Sequence, residues 1–221
     1  MSLSIRHLIP LSLRSSLVRV LALQQSEPLV NSGPFKGLKY GYGAVGSCYY
    51  PKLLGCYELE LHDVVERIIG MRPATIVDIG AAEGYYACGF AKRLPESHVI
   101  AFEGDPRGRQ MLKEMAERNG LMSRLEIESW CNSSALSTTL RENEQCLIMC
   151  DIEGGELELL DPARIPELKV SSLLIETHPG KATAADEILT LRFQRTHDIL
   201  RIPTRKPARS DLSLRSPSWL A

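Results

Sequence analysis

The feature that most constrains the fold is a regular alternation of strand-like and helix-like segments from residue 75 onward. Residues 75–79 form a short run rich in β-branched residues that ends at a glycine, which is typical of a strand buried on both faces. The alternation continues through runs at 98–103, 107–119, 125–129, 146–151, 156–160, 171–177 and 184–194. Strands that alternate with helices build βαβ units. We therefore predict an α/β protein with a doubly wound, mostly parallel sheet and helices on both of its faces.

The first 56 residues differ in pattern from the rest of the chain. Residues 1–26 hold three arginines, no acidic residue and many aliphatic side chains, which favours an N-terminal helix. A targeting peptide or a surface-seeking amphipathic helix is the alternative. The five glycines of residues 27–46 argue against a long helix there, and helical spacing returns at 57–69. We predict an N-terminal helix and Gly/Pro-rich loop over 1–56, forming a lid or cap, and one α/β domain over 57–221.

A turn of small residues follows the first predicted strand. Gly80, Ala82 and Gly84 allow the backbone and a ligand to approach each other closely. Glu103 ends the next predicted strand, 19 residues beyond Gly84. An acidic residue at that distance can bridge ribose hydroxyls, and ligands of doubly wound sheets bind beyond the carboxyl ends of the strands. The turn and the acid together predict an adenosine-containing ligand.

The residues of this turn discriminate between adenosine-containing ligands. A dinucleotide fingerprint needs a small third residue at position 85, where the bulky Tyr85 stands. The Gly180–Lys181 pair lacks the rest of a phosphate-binding loop, which argues against a triphosphate. Glu83 would repel a pyrophosphate, whereas the positive groups of S-adenosylmethionine tolerate both Asp78 and Glu83. The loop therefore favours a sulfonium cofactor.

Three stretches of this sequence resemble those of a known enzyme class. Residues 77–86, VDIGAAEGYY, resemble motif I of class I S-adenosylmethionine-dependent methyltransferases, with Ala82 in place of the middle glycine. Residues 151–156, DIEGGE, and 175–178, IETH, resemble the signature of FkbM-type methyltransferases, which typically O-methylate sugars or natural products. The resemblance covers about residues 57–178. It implies a Rossmann-like methyltransferase fold with a seven-stranded sheet, S-adenosylmethionine as the cofactor, and a hydroxyl of a small molecule or glycan as the acceptor.

The resemblance also implies a set of cofactor-binding residues. Motif I would form the floor of the site with Asp78, Gly80, Ala82, Glu83 and Gly84. Glu103 would hold the ribose, and Trp130 or Cys131 would flank the adenine. No acidic residue stands at 129–131 to bind the adenine amino group, which departs from the usual pattern. Trp130 has an alternative role as a core residue.

Four polar residues follow two predicted strands that should be neighbours. Asp151 and Glu153 follow one strand, and Glu176 and His178 follow the next. Methyl transfer from a sulfonium depends mainly on positioning, but a hydroxyl acceptor also has to lose its proton. We therefore predict these four side chains as catalytic, with His178 as the base and Asp151 as the residue that orients it.

Each of these residues has an alternative role. His178 can be an ordinary hydrogen-bonded loop residue. Glu153 and Glu156 can favour the start of the helix that follows them through its dipole. Asp151, Glu153 and His178 can instead bind a hard divalent cation that activates the acceptor. We assign no metal site from the sequence; a divalent cation stays open without being expected.

The overall charge and the cysteines narrow the class of protein. The 26 basic and 27 acidic residues give a formal net charge of −1, which gives no reason to expect a nucleic acid or an anionic membrane as partner. No apolar run approaches the roughly 20 residues that span a bilayer, so we expect no stable membrane insertion.

The six cysteines show no metal-type spacing and mostly lie in apolar runs, which predicts a cytoplasmic protein with reduced cysteines. We expect the basic tail after Arg201 to be solvated.

Two rival functions remain open at this point. An NAD(P)-dependent oxidoreductase is the first, and Tyr85 argues against it. A non-catalytic cofactor-binding module of the same fold is the second. Ala82 and the missing acid near the predicted adenine favour this second rival. The sequence predicts neither the identity of the acceptor nor the oligomeric state.

Overall fold

The computed structural model describes residues 27–143, 145–178 and 185–205. The helix predicted within residues 1–26 and the tail from residue 206 onward lie outside these residues. The described strands are β1 (Thr75–Ile79), β2 (His98–Phe102), β3 (Leu125–Glu128), β4 (Leu147–Cys150) and β5 (Ser172–Ile175). The described α-helices are α1 (Tyr49–Leu54), α2 (His62–Met71), α3 (Tyr85–Arg93), α4 (Pro106–Asn119), α5 (Ser133–Glu142), α6 (Glu156–Leu159) and α7 (Ala185–Phe193).

The five strands form one parallel sheet in the order β3-β2-β1-β4-β5. The chain moves outward from β1 to β3 and then returns to the other side of β1 with β4, so the order reverses between β1 and β4. This is the topology of a doubly wound sheet, and the predicted α/β fold class is confirmed. The described part of the chain holds five of the seven expected strands, and the other two stay a prediction.

Both faces of the sheet are covered by apolar side chains. Ile76 on β1 belongs to a core that includes side chains of α2, α3 and α4. Its neighbour Val77 points to the opposite face and belongs to a second core that includes side chains of α5, α6 and α7. Successive residues of a strand point to opposite faces, so a strand buried on both sides is rich in apolar residues. This explains the β-branched and apolar residues of β1, in which Asp78 is a buried charged exception.

Residues 27–56 pack against the first of these cores. Val30, Leu38 and Tyr40 are buried in it together with Phe35. The ring of Phe35 lies against the backbone of Gly89 on α3, where an added Cβ would come within 2.5 Å of the ring. No long helix occurs within residues 27–48, as expected. The role of residues 1–56 as a lid or cap stays a prediction.

Local capping explains where two of the helices begin. The Asp105 side chain accepts a hydrogen bond from the Arg107 backbone N–H, and Pro106 occupies the first turn of α4. Helix α5 was missing from the sequence prediction. Its start is marked by the Asn132 side chain, which accepts hydrogen bonds from the backbone N–H groups of Ser134 and Ala135.

The helix expected over 57–69 begins later than the sequence predicts, as a 3₁₀ turn at Leu59–Leu61 that continues into α2.

Within the part of the chain that the structure describes, no helix combines the length and the apolarity needed to cross a bilayer.

Candidate functional site

The carboxyl ends of β1, β2, β4 and β5 surround one cavity of about 810 Å³. The cavity lies where the strand order reverses, which is where doubly wound sheets bind their ligands. Ten of the twelve predicted site residues line it. The two exceptions are Glu83 and Gly84.

The turn after β1 is held close to the end of β4. Gly80 has a φ of +87°, and a Cβ at this position would lie 1.8 Å from the carbonyl oxygen of Asp151. The Asp151 backbone N–H donates to the carbonyl oxygen of Ile79 at 2.9 Å, so the two loops are joined directly. Only glycine satisfies both the positive φ and the close approach.

Ala82 adopts the backbone conformation that the middle glycine of motif I would allow. Its φ is +48°, in the left-handed region that an alanine occupies only at some cost in strain. Its N–H points to a carboxylate oxygen of Glu103 at 2.6 Å. This hydrogen bond to β2 holds the turn in place.

Glu83 does not face the cavity. Its carboxylate is buried and accepts hydrogen bonds from the Lys52 ammonium at 2.7 Å, the Val45 N–H at 3.0 Å and the Tyr40 hydroxyl. Burial alone would raise the pKa of Glu83, but the attraction of Lys52 and these hydrogen bonds lower it. The expected repulsion between Glu83 and a pyrophosphate is therefore wrong, because Lys52 neutralises the carboxylate. Glu83 instead ties residues 40–52 to the turn after β1.

Asp78 lies at the floor of the cavity with an unsatisfied oxygen. The residue is 3% exposed, and its Oδ2 has no hydrogen-bond partner among the described residues. Burial, together with the nearby Asp151, raises the pKa of Asp78 to about 7. A buried polar atom without a partner is costly, so this oxygen calls for a donor supplied by a ligand.

Glu103 stands at the end of β2 with both carboxylate oxygens in use. One accepts from the Ala82 N–H and the other from the Asp105 N–H, each at 2.6 Å. Each oxygen has a second lone pair that can still accept from a ligand hydroxyl. Gly108 allows this position, since a Cβ there would come within 2.9 Å of the Glu103 side chain.

Trp130 and Cys131 form the wall beyond β3. Trp130 is 72% exposed, so its alternative role as a core residue is wrong. Its ring packs near Gly104, where an added Cβ would lie 2.8 Å from a ring carbon. Cys131 is partly buried against the second core, and burial raises the pKa of its thiol to about 12. The ring of Trp130 offers a flat apolar surface at this end of the cavity.

The opposite end of the cavity holds His178 among four carboxylates. His178 Nδ1 lies 2.8 Å from Oε1 of Glu156, which is buried. The orienting partner of His178 is therefore Glu156, and the expectation that Asp151 orients it is wrong. Nε2 of His178 lies 3.6 Å from Asp151, 3.5 Å from Glu153 and 3.8 Å from Glu176.

This cluster shifts the pKa values of its members. Burial raises the pKa of Asp151, and burial followed by the charge of Asp151 raises that of Glu176 to about 7. Burial would lower the pKa of His178, but its hydrogen bond to Glu156 and the nearby carboxylates raise it. Burial would raise the pKa of Glu156, but the Gly154 N–H and His178 lower it. The lowered pKa of Glu156 and the raised pKa of His178 thus favour an ionised carboxylate beside a more basic imidazole.

Sequence reasoning missed two residues of the site. Lys52 lines the cavity next to its buried partner Glu83, and its ammonium lies 4.8 Å from the centre of the Tyr57 ring. Glu156 was interpreted only as a residue that favours a helix start. A lone lysine in the apolar stretch 49–57 was the one available signal for Lys52. Each residue acts through a partner at least 22 positions away, which spacing does not reveal.

Comparisons with known proteins identify no family for this chain. No family model matches it, and no curated protein matches it. The FkbM resemblance therefore stays a prediction that rests on the motifs.

Three solved structures with partly similar folds carry the name of a methyltransferase or a methylation-related ligand. The methyltransferase PaMTH1 of Podospora anserina, bound to S-adenosylhomocysteine, shares 18% identity over 59% of this chain and 53% of its own, with a TM-score of 0.45. A provisionally assigned O-methyltransferase of Klebsiella pneumoniae shares 16% sequence identity, and the match covers 86% of this chain and 80% of that protein with a TM-score of 0.42. TYW2 of P. horikoshii, in complex with MeSAdo, shares 19% sequence identity, and the match covers 62% of this chain and 46% of that protein with a TM-score of 0.40. The chain thus spans about half the length of two of these proteins.

The buried pair Lys52–Glu83 yields a prediction about stability. Lys52→Met should lower the free energy of unfolding by about 3–5 kcal/mol, because it leaves the Glu83 carboxylate buried without a counter-charge. The double variant Lys52→Met/Glu83→Gln should recover part of that loss. Urea unfolding of the two variants and of Glu83→Gln completes the cycle.

Lys39→Met is the matched control for this prediction. Lys39 pairs with Glu27 at 3.2 Å on the surface, where loss of an ion pair costs about 0–1 kcal/mol. Equal losses for Lys52→Met and Lys39→Met would show that the buried pair does not anchor the turn.

Proposed function

We propose that this chain is an S-adenosylmethionine-dependent methyltransferase that O-methylates a hydroxyl of a small molecule or glycan. The observation that carries the proposal is the buried Asp78 oxygen without a partner, set at the floor of a cavity between Glu103 and His178. A ligand that fits must bring a cationic donor to Asp78 and hydroxyls to Glu103. The amino-acid group and the ribose of S-adenosylmethionine supply both.

The cofactor would lie across the ends of β1 and β2. Its ammonium would donate to Asp78, its ribose hydroxyls would donate to the free lone pairs of Glu103, and its adenine would lie against Trp130. Gly80 lets the ligand approach the backbone of the turn after β1. The sulfonium then comes between the floor of the cavity and the carboxylates at the end of β4.

The electrostatics of the cavity support a cationic cofactor over a dinucleotide. Asp78, Asp151 and Glu176 all line the cavity, and a pyrophosphate would be repelled by them. Tyr85 at the start of α3 also lines the cavity in the position where a dinucleotide site needs a small residue. Glu83 does not contribute to this repulsion, because Lys52 compensates its charge.

The acceptor would bind at the His178 end of the cavity. The cluster of Asp151, Glu153, Glu176 and His178 is placed to bind an acceptor hydroxyl and to remove its proton as the methyl group is transferred. In this proposal Glu156 is a positioning residue, because it acts on the acceptor only through His178.

The family, the complete fold and the location of the enzyme are part of the same proposal. We assign the chain to the FkbM-type enzymes, with a complete sheet of seven strands and residues 1–56 as a lid over the acceptor. We place the enzyme in the cytoplasm, with a small molecule or glycan rather than a nucleic acid as its acceptor. The motifs at 77–86, 151–156 and 175–178 support the family and its acceptor class, and the cysteine pattern supports the cytoplasm.

The ribose contact predicts a loss of cofactor affinity. Glu103→Ala should weaken the binding of S-adenosylhomocysteine by about 1.5–3 kcal/mol, or about 10- to 150-fold, because it removes charge-assisted hydrogen bonds. Isothermal titration calorimetry measures this, and thermal unfolding confirms that the variant is folded. Glu96→Ala, which changes an exposed acid at the amino end of β2, should bind as the wild type does. Equal affinities for all three proteins would remove Glu103 from the cofactor site.

The acceptor cluster predicts a loss of turnover without a loss of binding. His178→Ala should lower methyl transfer by about 10²–10⁴-fold, the usual contribution of a positioned proton acceptor, while S-adenosylhomocysteine affinity is unchanged. The assay follows labelled methyl from S-adenosylmethionine into a panel of glycosides, hydroxylated small molecules and transfer RNA. His98→Ala, an exposed histidine beside Glu126, is the control. Unchanged turnover in His178→Ala would contradict its role, and cofactor binding with no turnover by the wild type would favour the non-catalytic module.

A further inference from the structure

We propose that His178, Asp151 and Glu153 bind a divalent transition-metal cation at the acceptor end of the cavity. One ligand atom from each lies within 4.8 Å of the others. Nε2 of His178 is 3.6 Å from an oxygen of Asp151 and 3.5 Å from an oxygen of Glu153. Ligands about 2.1 Å from a tetrahedral ion are about 3.4 Å apart. The two separations from Nε2 therefore match the spacing of ligands around one cation.

The surroundings of His178 are those of a metal ligand. Its Nδ1 is hydrogen-bonded to Glu156 at 2.8 Å, and the Glu156 side chain is only 1% exposed. A histidine that binds a metal through one ring nitrogen usually donates its other N–H to a carboxylate. With the proton on Nδ1, the lone pair of Nε2 points to Asp151 and Glu153. Glu156 is thus a positioning residue for the cation site.

Asp151 provides an independent sign that a ligand is needed here. Its Oδ1 is buried and has no hydrogen-bond partner within residues 27–143, 145–178 and 185–205. The same oxygen is the one that faces Nε2 of His178. A buried carboxylate oxygen is rarely left unsatisfied, and a cation shared with Nε2 would satisfy it.

The charges of the cluster also favour a cation. Four carboxylates lie within 4 Å of the His178 ring: Asp151, Glu153, Glu156 and Glu176. A protonated imidazole supplies one positive charge against them. A divalent cation supplies two positive charges near Nε2, where three of the carboxylates lie close together. It therefore reduces the repulsion between these carboxylates more than a protonated imidazole does.

The donor set selects the class of cation. Calcium and magnesium prefer oxygen ligands throughout, whereas an imidazole with carboxylates suits zinc, manganese or iron. Glu153 is 77% exposed, so its side chain is free to close on the ion. Three protein ligands are the number found in catalytic zinc sites, which keep one position open for water or substrate.

The role of the cation rests on the proposed function. The acceptor hydroxyl would occupy the open position, where the cation makes its proton easier to remove. With Nε2 of His178 bound to the cation, His178 can no longer accept a proton, and Glu176 takes its place as the base. The proton would pass to the Glu176 carboxylate, the acceptor oxygen would form a bond to the methyl carbon with a lone pair, and the methyl–sulfur bond would break with its electrons left on sulfur. The products are the methyl ether and neutral S-adenosylhomocysteine.

Zinc binding to the full chain tests this site without any need for an acceptor. The protein is stripped with a chelator and titrated with ZnCl2 by calorimetry, and the bound metal is counted by mass spectrometry. One ion per chain is expected in the wild type. Glu156→Gln should weaken the affinity by about 10- to 100-fold, as loss of a residue that orients a metal ligand does, and Asp151→Asn and His178→Ala should weaken it further.

His98→Ala serves as the control, because it removes an exposed histidine that pairs with a single carboxylate. Cobalt(II) adds a spectroscopic readout, since its visible absorption reports ligand number and should be lost in His178→Ala. Absence of zinc binding by the wild type, or equal zinc affinity in the wild type and the cluster variants, would contradict the proposed cation site. The positive charge among the carboxylates would then be that of a protonated His178. Folded variants are identified by thermal unfolding, and the wild-type stoichiometry decides the matter if a variant does not fold.

Titration of the same preparations with S-adenosylhomocysteine separates this inference from the proposed function. Cofactor binding without zinc uptake would overturn the cation site alone. Zinc uptake without cofactor binding would leave the cation site in place and overturn the methyltransferase proposal.

Discussion

The buried carboxylate of Glu83 is the interaction on which the geometry of the site depends. It gathers Lys52, Tyr40 and the backbone of Val45 around one charge and thereby fixes the segment before α2 to the turn after β1. Both members of the ion pair are almost fully buried, so the pair gains from a low dielectric and would be costly to break on either side. With the turn fixed from behind, its other face is free to meet a ligand.

The reversal of strand order gives this ligand site two ends with different chemistry. At one end the turn after β1 and Glu103 after β2 present backbone and carboxylate groups suited to an amino acid and a ribose. At the other end the loops after β4 and β5 bring Asp151 and His178 together, although these residues are 27 positions apart in the chain. Gly80 joins the two ends, because only a residue without a side chain lets the turn touch the loop after β4. A cofactor that delivers its reactive carbon from the first end toward the second fits this arrangement.

The sequence predicted what depends on local pattern. The alternation of strand-like and helix-like segments predicted the parallel sheet, and the bounds of β1 are those expected, because its β-branched residues lie between Pro73 and Gly80. Glu103 and His178 were predicted because both follow a strand. The burial of Glu83 was not predicted, since its partner Lys52 is 31 residues away, and the Glu156–His178 hydrogen bond was missed for the same reason. Helix α5 was missed although Asn132 caps it and Leu136 and Leu140 have helical spacing. The two outer strands of the expected seven stay a prediction.

A crystal structure of the full chain with S-adenosylhomocysteine would show directly whether the cavity binds the cofactor. We expect the amino group of the ligand within hydrogen-bond distance of Asp78, its ribose at Glu103, and its sulfur directed toward Asp151 and His178. A ligand bound elsewhere, or a cavity that stays empty at saturating S-adenosylhomocysteine, would contradict this assignment of the cofactor site. A dinucleotide found in the same cavity would show that Tyr85 and the acidic floor do not exclude a pyrophosphate.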